Sequence, residues 1–197
     1  MDILTQNVEI VESLLSEAHK FYNFRYQMSN GGNLSARVPG TDLMIVKGTD
    51  VDFARLTRET LVVTDFDGKV KEGTIRPSKE SLLHGALYRH YTDLGAVMHC
   101  HSPWATAWAA CHEELELSTH HSRLKLGGCC PVFDTHSYVV PSDYFEEIFR
   151  KLDGTPSINS FLLRGHGQIT LAGDIHAAAL LAELVEETAQ ISLLSRL

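Results

Sequence analysis

The segment Gly95-Ala96-Val97-Met98-His99-Cys100-His101-Ser102-Pro103 constrains this chain more than any other. Its apolar first half reads as the start of a buried strand. Side chains alternate faces along a strand, so His99 and His101 project together while Cys100 points away. Two imidazoles aimed at one point make a poor core and half of a metal site. Taken alone, they also fit a pair of half-exposed polar residues. The choice rests on whether the chain supplies a third ligand, an acid or base, and a cradle for a substrate.

At 197 residues, the chain is expected to form one domain over 1–197, with a core that needs neither metal nor disulfide. No apolar stretch reaches membrane-spanning length, and Met1-Asp2-Ile3-Leu4 lacks a basic region followed by an apolar one. These features predict a soluble, cytoplasmic protein without a secretion signal or a membrane partner. The formal charge of -8, with no long Lys/Arg run, argues against a nucleic-acid partner. An anionic substrate would need a few placed cations working against that global field. Cys100, Cys111, Cys129 and Cys130 show no Cys-x-x-Cys spacing, and two are adjacent. That pattern predicts reduced, mostly buried thiols.

Along the chain, Thr5 to Phe21 reads as a helix with Val8, Val11, Leu14, Leu15 and Ala18 on one face. Leu34 to Val38 and Leu43 to Val46 form a hairpin around Pro39-Gly40-Thr41-Asp42, and Leu61 to Thr64 opens a second across Phe66-Asp67-Gly68. A helix opens at Arg76-Pro77-Ser78-Lys79-Glu80, with Ser78 as N-cap and Leu82, Leu83, Ala86, Leu87 and Tyr91 inward. The histidine strand and a short helix from Pro103 follow. Pro131 to Asp134 reads as a strand, and a helix starts near Ser142, with Asp143 and Glu146 as a capping box. Phe161-Leu162-Leu163 is a buried strand. The last helix runs from Asp174, with Ala177, Leu180, Leu181, Leu184 and Val185 inward. Helices interleaved with hairpins predict a layered α/β protein with a largely antiparallel or mixed sheet.

His166 sits between two glycines just after a buried strand, where the backbone turns sharply and approaches a ligand closely. With His99 and His101 it completes three imidazoles and one open position, a common catalytic zinc arrangement. Glu80 lies in the first turn of its predicted helix. It serves there as a dipole partner, as a general base beside the metal, or as a fourth ligand that substrate displaces. Asn30-Gly31-Gly32-Asn33 can present successive N–H groups to an anion, and Ser78 and Lys79 sit at a predicted helix N-terminus. Lys47-Gly48-Thr49 would add to such a pocket.

In this order, four segments resemble the class II aldolase and adducin head-domain family. Asn30-Gly31-Gly32-Asn33-Leu34-Ser35-Ala36-Arg37 resembles its glycine–asparagine phosphate loop, and Pro77-Ser78-Lys79-Glu80 with Leu83-His84 its serine-rich segment ending in the catalytic acid. Ala96 to Pro103 resembles its paired metal histidines, and Leu162-Leu163-Arg164-Gly165-His166-Gly167 the third. The resemblance spans about residues 8 to 192. It implies a three-layer α/β/α fold around a mainly antiparallel sheet, often built as a fourfold-symmetric tetramer with sites between subunits. It also implies a divalent metal held by His99, His101 and His166: zinc first, with Mn2+, Fe2+ or Ni2+ as alternatives. Glu80 would be the acid/base, and Gly32, Asn33, Ser78 and Lys79 the phosphate contacts. Cleaving a carbon–carbon bond beside a carbonyl leaves an enediolate whose charge a Lewis acid stabilises. A partly dry pocket would raise the pKa of Glu80 toward proton shuttling.

Several positions depart from the fuculose-phosphate aldolase branch. Ser78-Lys79 replaces two serines and is similar to the 3-oxo-tetronate 4-phosphate decarboxylases, implying a more anionic substrate such as a phosphorylated sugar acid. His120-His121 stands where those aldolases carry a tyrosine proton donor, which makes His121 the candidate for that role. Leu197 follows the last helix closely, so their tyrosine-bearing tail is expected to be missing. Glu80 stands where the 4-epimerases usually have aspartate, and Lys47-Gly48-Thr49-Asp50 lacks the usual Thr-Pro-x-Gly loop. The expectation is a metal-dependent carbon–carbon lyase on a small phosphorylated ketose or sugar acid. Decarboxylation, methylthioribulose-phosphate dehydration or epimerisation at the same site, and an adducin-like scaffold without chemistry, are the alternatives.

Overall fold

The computed structural model describes residues 2–155 and 159–197. Eight strands form one sheet: β1 (Asn33–Arg37), β2 (Leu43–Lys47), β3 (Leu61–Asp65), β4 (Val70–Glu72), β5 (Ala96–Cys100), β6 (Val132–Phe133), β7 (Ser160–Leu163) and β8 (Gly167–Ala172). Their order is β4-β3-β2-β1-β5-β8-β7-β6. Every neighbouring pair is antiparallel except β6 with β7. The helices are α1 (Ile3–Gln6), α2 (Val8–Asn23), α3 (Ser81–His90), α4 (Pro103–Cys111), α5 (His120–Lys125), α6 (Phe145–Asp153) and α7 (Ile175–Leu194).

The period-two pattern of the central strands decides where the helices go. Ala96, Met98 and Cys100 of β5 face a core closed by Leu14 and Phe21 of α2 and Ala178 and Ala182 of α7. Val97, one residue out of phase, faces the opposite core with Leu83 and Leu87 of α3 and Ile148 and Leu152 of α6. On the first face, α4 packs Trp108 beside Val185 of α7 and Leu162 of β7. Because both faces of β5 are covered, its five residues are all buried. This is the expected α/β/α architecture around a mainly antiparallel sheet. Among the described residues, no helix is long and apolar enough to cross a membrane.

Several local expectations are corrected. The first helix breaks at Asn7 (φ -119°, ψ 41°), because α1 docks away from its line: Ile3 and Leu4 donate their N–H groups to the Glu72 carboxylate. Val8, Leu82 and Leu180, placed inward by periodicity, are exposed. Ser78 caps no helix, since α3 begins at Ser81 with Glu80 at its N-cap. The Ser78 N–H instead donates to the Lys47 carbonyl, and the Thr49 N–H to the Arg76 carbonyl, so the segment before α3 zips onto the end of β2 and the residues after it. Asp143 and Glu146 form no capping box; a short 3-10 turn over Ser142–Tyr144 leads into α6, whose N-cap is Tyr144. Three cysteines are buried thiols as expected, but Cys111 is exposed.

Candidate metal centre and substrate cleft

His99 is fully buried near the end of β5, with Asn33 of β1 and Ile169 of β8 as its cross-strand partners. Its Nδ1 lies 2.8 Å from the Gln168 carbonyl, which only accepts, so Nδ1 carries a proton and Nε2 points into the site. His101 Nε2 stands 3.1 Å and His166 Nε2 3.3 Å from that atom, and a carboxylate oxygen of Glu80 lies 3.1 Å away. Nitrogen ligands around a tetrahedral zinc ion stand about 3.3 Å apart, given metal–nitrogen distances near 2.0–2.1 Å. Facing lone pairs at this spacing repel unless a cation stands between them. The donor set of three imidazoles fits a divalent ion, with the Glu80 carboxylate beside His99.

Electrostatics favour bare ring nitrogens at His101 and His166. Burial alone would push the Glu80 carboxyl up, but His99 beside it, then His166 and the Asn33 amide, hold it well below the ordinary carboxylate range. This reverses the expectation of a raised Glu80: the pocket is dry, and the neighbours outweigh the dryness. Burial works against a charged His99, yet the Glu80 carboxylate raises that ring. Burial drives His101 down to about 3 and His166 down to about 4, with neighbouring His99 lowering both further. Neutral imidazole is the form that ligates.

The supporting backbone is built tightly around the rings. His166 rides a short turn between β7 and β8, with Gly165 in left-handed backbone (φ 62°) and Leu163 paired to Gly167. Behind His101 lies the Asn30–Asn33 turn. A Cβ on Gly31 would come within 2.7 Å of the His101 ring. Gly32 has φ 61°, and a Cβ there would run into Gln27 and approach the His99 carbonyl within 2.9 Å. Gln27, fully buried, accepts the His101 N–H at 2.8 Å and donates to the Met28 carbonyl. No local pattern in the sequence marks Gln27, because its partner is 74 residues away.

A cleft of about 320 Å³ opens beside the histidines. Its lining includes Gly32, Asn33, Ser78, Lys79, Glu80, His101 and His166, seven of the nine residues the sequence points to, together with Gly31; fully buried His99 is not in the lining. Lys47, Asp50, Tyr138 and Val139 also line it. Asn33 is committed within the protein, donating to Glu80 Oε2 at 2.9 Å. Lys79 is exposed, whereas Lys47 is buried and donates to the Val51 and Asn30 carbonyls. Burial lowers the Lys47 ammonium to about 8, against the opposing pull of Asp50 and Asp52. His121 stands apart: it is exposed on α5 and lines a separate cavity with Tyr26, Leu181 and Glu187.

Residues 12–193 match the family described as Class II Aldolase and Adducin N-terminal domain. L-fuculose phosphate aldolase of Methanococcus maripaludis is 30% identical over 174 residues, covering 87% of this chain and 89% of its own. L-ribulose-5-phosphate 4-epimerase UlaF of Salmonella paratyphi B is 31% identical over 172 residues, covering 84% and 75%. Among solved structures, an L-fuculose 1-phosphate aldolase superposes with a TM-score of 0.85 at 25% identity, covering 95% of this chain and 86% of that one. By a match that runs from within α2 almost to the end of α7, the chain belongs to the class II aldolase and adducin N-terminal domain family.

Proposed function

We propose that the chain is a divalent-metal-dependent carbon–carbon lyase acting on a small phosphorylated ketose or sugar acid. The observation that carries this reading is the convergence of three Nε2 atoms and Glu80 beside a cleft with two lysines. His99, His101 and His166 would hold the ion, zinc first among candidates. Bound there, it supplies Lewis-acid stabilisation of negative charge developing on a substrate oxygen. Glu80, turned toward the histidines by Asn33, takes a proton from the substrate and returns it. Lys47, Lys79, the Ser78 hydroxyl and the N–H groups of the Gly31–Gly32 turn bind the distant anionic groups and orient the reacting end. Two ammonium groups at one cleft favour a phosphate accompanied by a second anionic group.

On this reading, residues 1–197 act as one domain in a cytoplasmic homotetramer. Phe24 and Met28, each more than half exposed just before the Asn30–Asn33 turn, offer an apolar edge for a second copy. His121 would reach the chemistry only from such a copy. Epimerisation at C4 is the second reading, favoured by the 31% identical relative of that name.

Bound metal and turnover of phosphorylated ketoses and sugar acids, measured for wild type, His99→Ala and Glu80→Gln, test the proposal. Wild type should bind one divalent ion and release two carbon fragments. His99→Ala should lose the ion, and Glu80→Gln should keep it and lose turnover. Lyase activity persisting in Glu80→Gln with metal bound would remove Glu80 from the chemistry. A product that keeps every carbon would rule out aldol cleavage and decarboxylation, and one that also keeps its water would select epimerisation over dehydration.

A further inference from the structure

The catalytic carboxylate sits at one end of a polar ladder between β1 and α3. Asn33 and Ser35 share a face of β1, and Glu80, His84 and Tyr88 stack one turn apart at and along α3. Asn33 bonds Glu80 Oε2, while Ser35 Oγ lies 2.8 Å from His84 Nδ1 and 2.8 Å from the Tyr88 hydroxyl. Ser35, His84 and Tyr88 are fully buried. Three atoms of the ladder are buried and have no partner among the described residues: Glu80 Oε1, Asn33 Oδ1 and His84 Nε2.

The protonation of His84 follows from counting donors. Burial keeps the ring neutral, against the pull of the nearby Glu80 charge, so it has one N–H. With that proton on Nδ1, the three orphaned atoms would all be acceptors. With it on Nε2, Tyr88 donates to Ser35, Ser35 donates to Nδ1, and the orphans become one donor and two acceptors. A single water molecule accepts one such bond and donates two. Its capacity is the complement of these three atoms.

We propose that His84 is a positioning residue for Glu80, its Nε2–H relayed by one buried water to Glu80 Oε1 and Asn33 Oδ1, which leaves Oε2 turned toward the histidine centre. The inference rests on the reading of Glu80 as the acid/base. Nitrogen-15 NMR of the imidazoles in the metal-loaded protein should show His84 as the Nε2–H tautomer, with its Nε2 signal displaced in Glu80→Gln. His84→Leu should lose about 10–100-fold in kcat with little change in KM, the scale on which supporting contacts act. His84→Gln, which keeps an N–H donor, should recover much of that loss.

An Nδ1–H tautomer in wild type, an Nε2 signal unmoved by Glu80→Gln, or equal losses in both His84 variants would overturn the proposal. The wild-type and Glu80→Gln spectra decide it even where His84→Leu does not fold. An active Glu80→Gln with a displaced His84 signal removes Glu80 from the chemistry and leaves the contact standing. An inactive Glu80→Gln with an unmoved signal does the reverse.

Discussion

Lys47 is a buried ammonium whose neighbours are carbonyls rather than a paired carboxylate, so the fold bears its desolvation. Its pKa falls from 10.5 in the unfolded chain to about 8, with burial as the main cause. The unfolded state therefore holds this proton more tightly, and stability rises with pH between those two values. Below about pH 8 the penalty is fully present, up to about 3 kcal/mol for a shift of this size. Lys47→Met should thus be more stable than wild type at pH 7, with the advantage fading toward pH 10. Urea denaturation across that range measures it; a gap independent of pH would contradict the assignment. Gly32 presents the opposite case, where a small residue is demanded by geometry. Gly32→Ala adds a Cβ at φ 61° against Gln27 and the His99 carbonyl. It should cost about 1–3 kcal/mol in thermal or denaturant unfolding and weaken metal binding, since strain there has no exit.

At the scale of elements, α7 clamps the strand that orients His99. Gln168 and Thr170 of β8 donate side-chain hydrogen bonds to the Ala182 and Ala178 carbonyls of α7. Asp174 caps that helix by accepting the Ala177 N–H at 2.8 Å. Asp174→Ala should cost about 1 kcal/mol of stability, read by chemical denaturation, and leave metal affinity unchanged. The start of this helix at Asp174 was legible in the sequence, as were the buried β5 and the shared direction of His99 and His101, because each depends on neighbours a few residues away. The start of α3 was not. Ser78 carries the chemistry of a cap, yet its N–H is bonded to the end of β2, 31 residues earlier in the chain, at Lys47. Local pattern likewise says nothing of Gln27 behind His101, or of the neighbours that hold Glu80 low rather than high. Periodicity finds the elements; contacts across the sheet set their chemistry.

For the molecule as a whole, the histidine centre ties β5 to the turn between β7 and β8. On the proposed reading, chelating the ion should lower folding stability by about 2.7 kcal/mol for an ion present at a hundred times its dissociation constant, and the unfolding midpoint with it, and re-addition should restore both. His166→Ala should abolish that dependence while keeping the wild-type circular dichroism, because His166 sits half-buried on a turn. Calorimetry with and without chelator checks both. The glycine turn behind His101 has a further consequence, for how such a site can change over time. One wall of the cleft, residues 31–33, is in steric or hydrogen-bonded contact with the ligands and Glu80, so few substitutions there would leave the centre intact. The lining also carries exposed Lys79 and Tyr138, for which no contact with a histidine is seen among the described residues. On the proposed function, new substrates can thus be acquired at Lys79 and Tyr138 while the reacting centre is inherited unaltered.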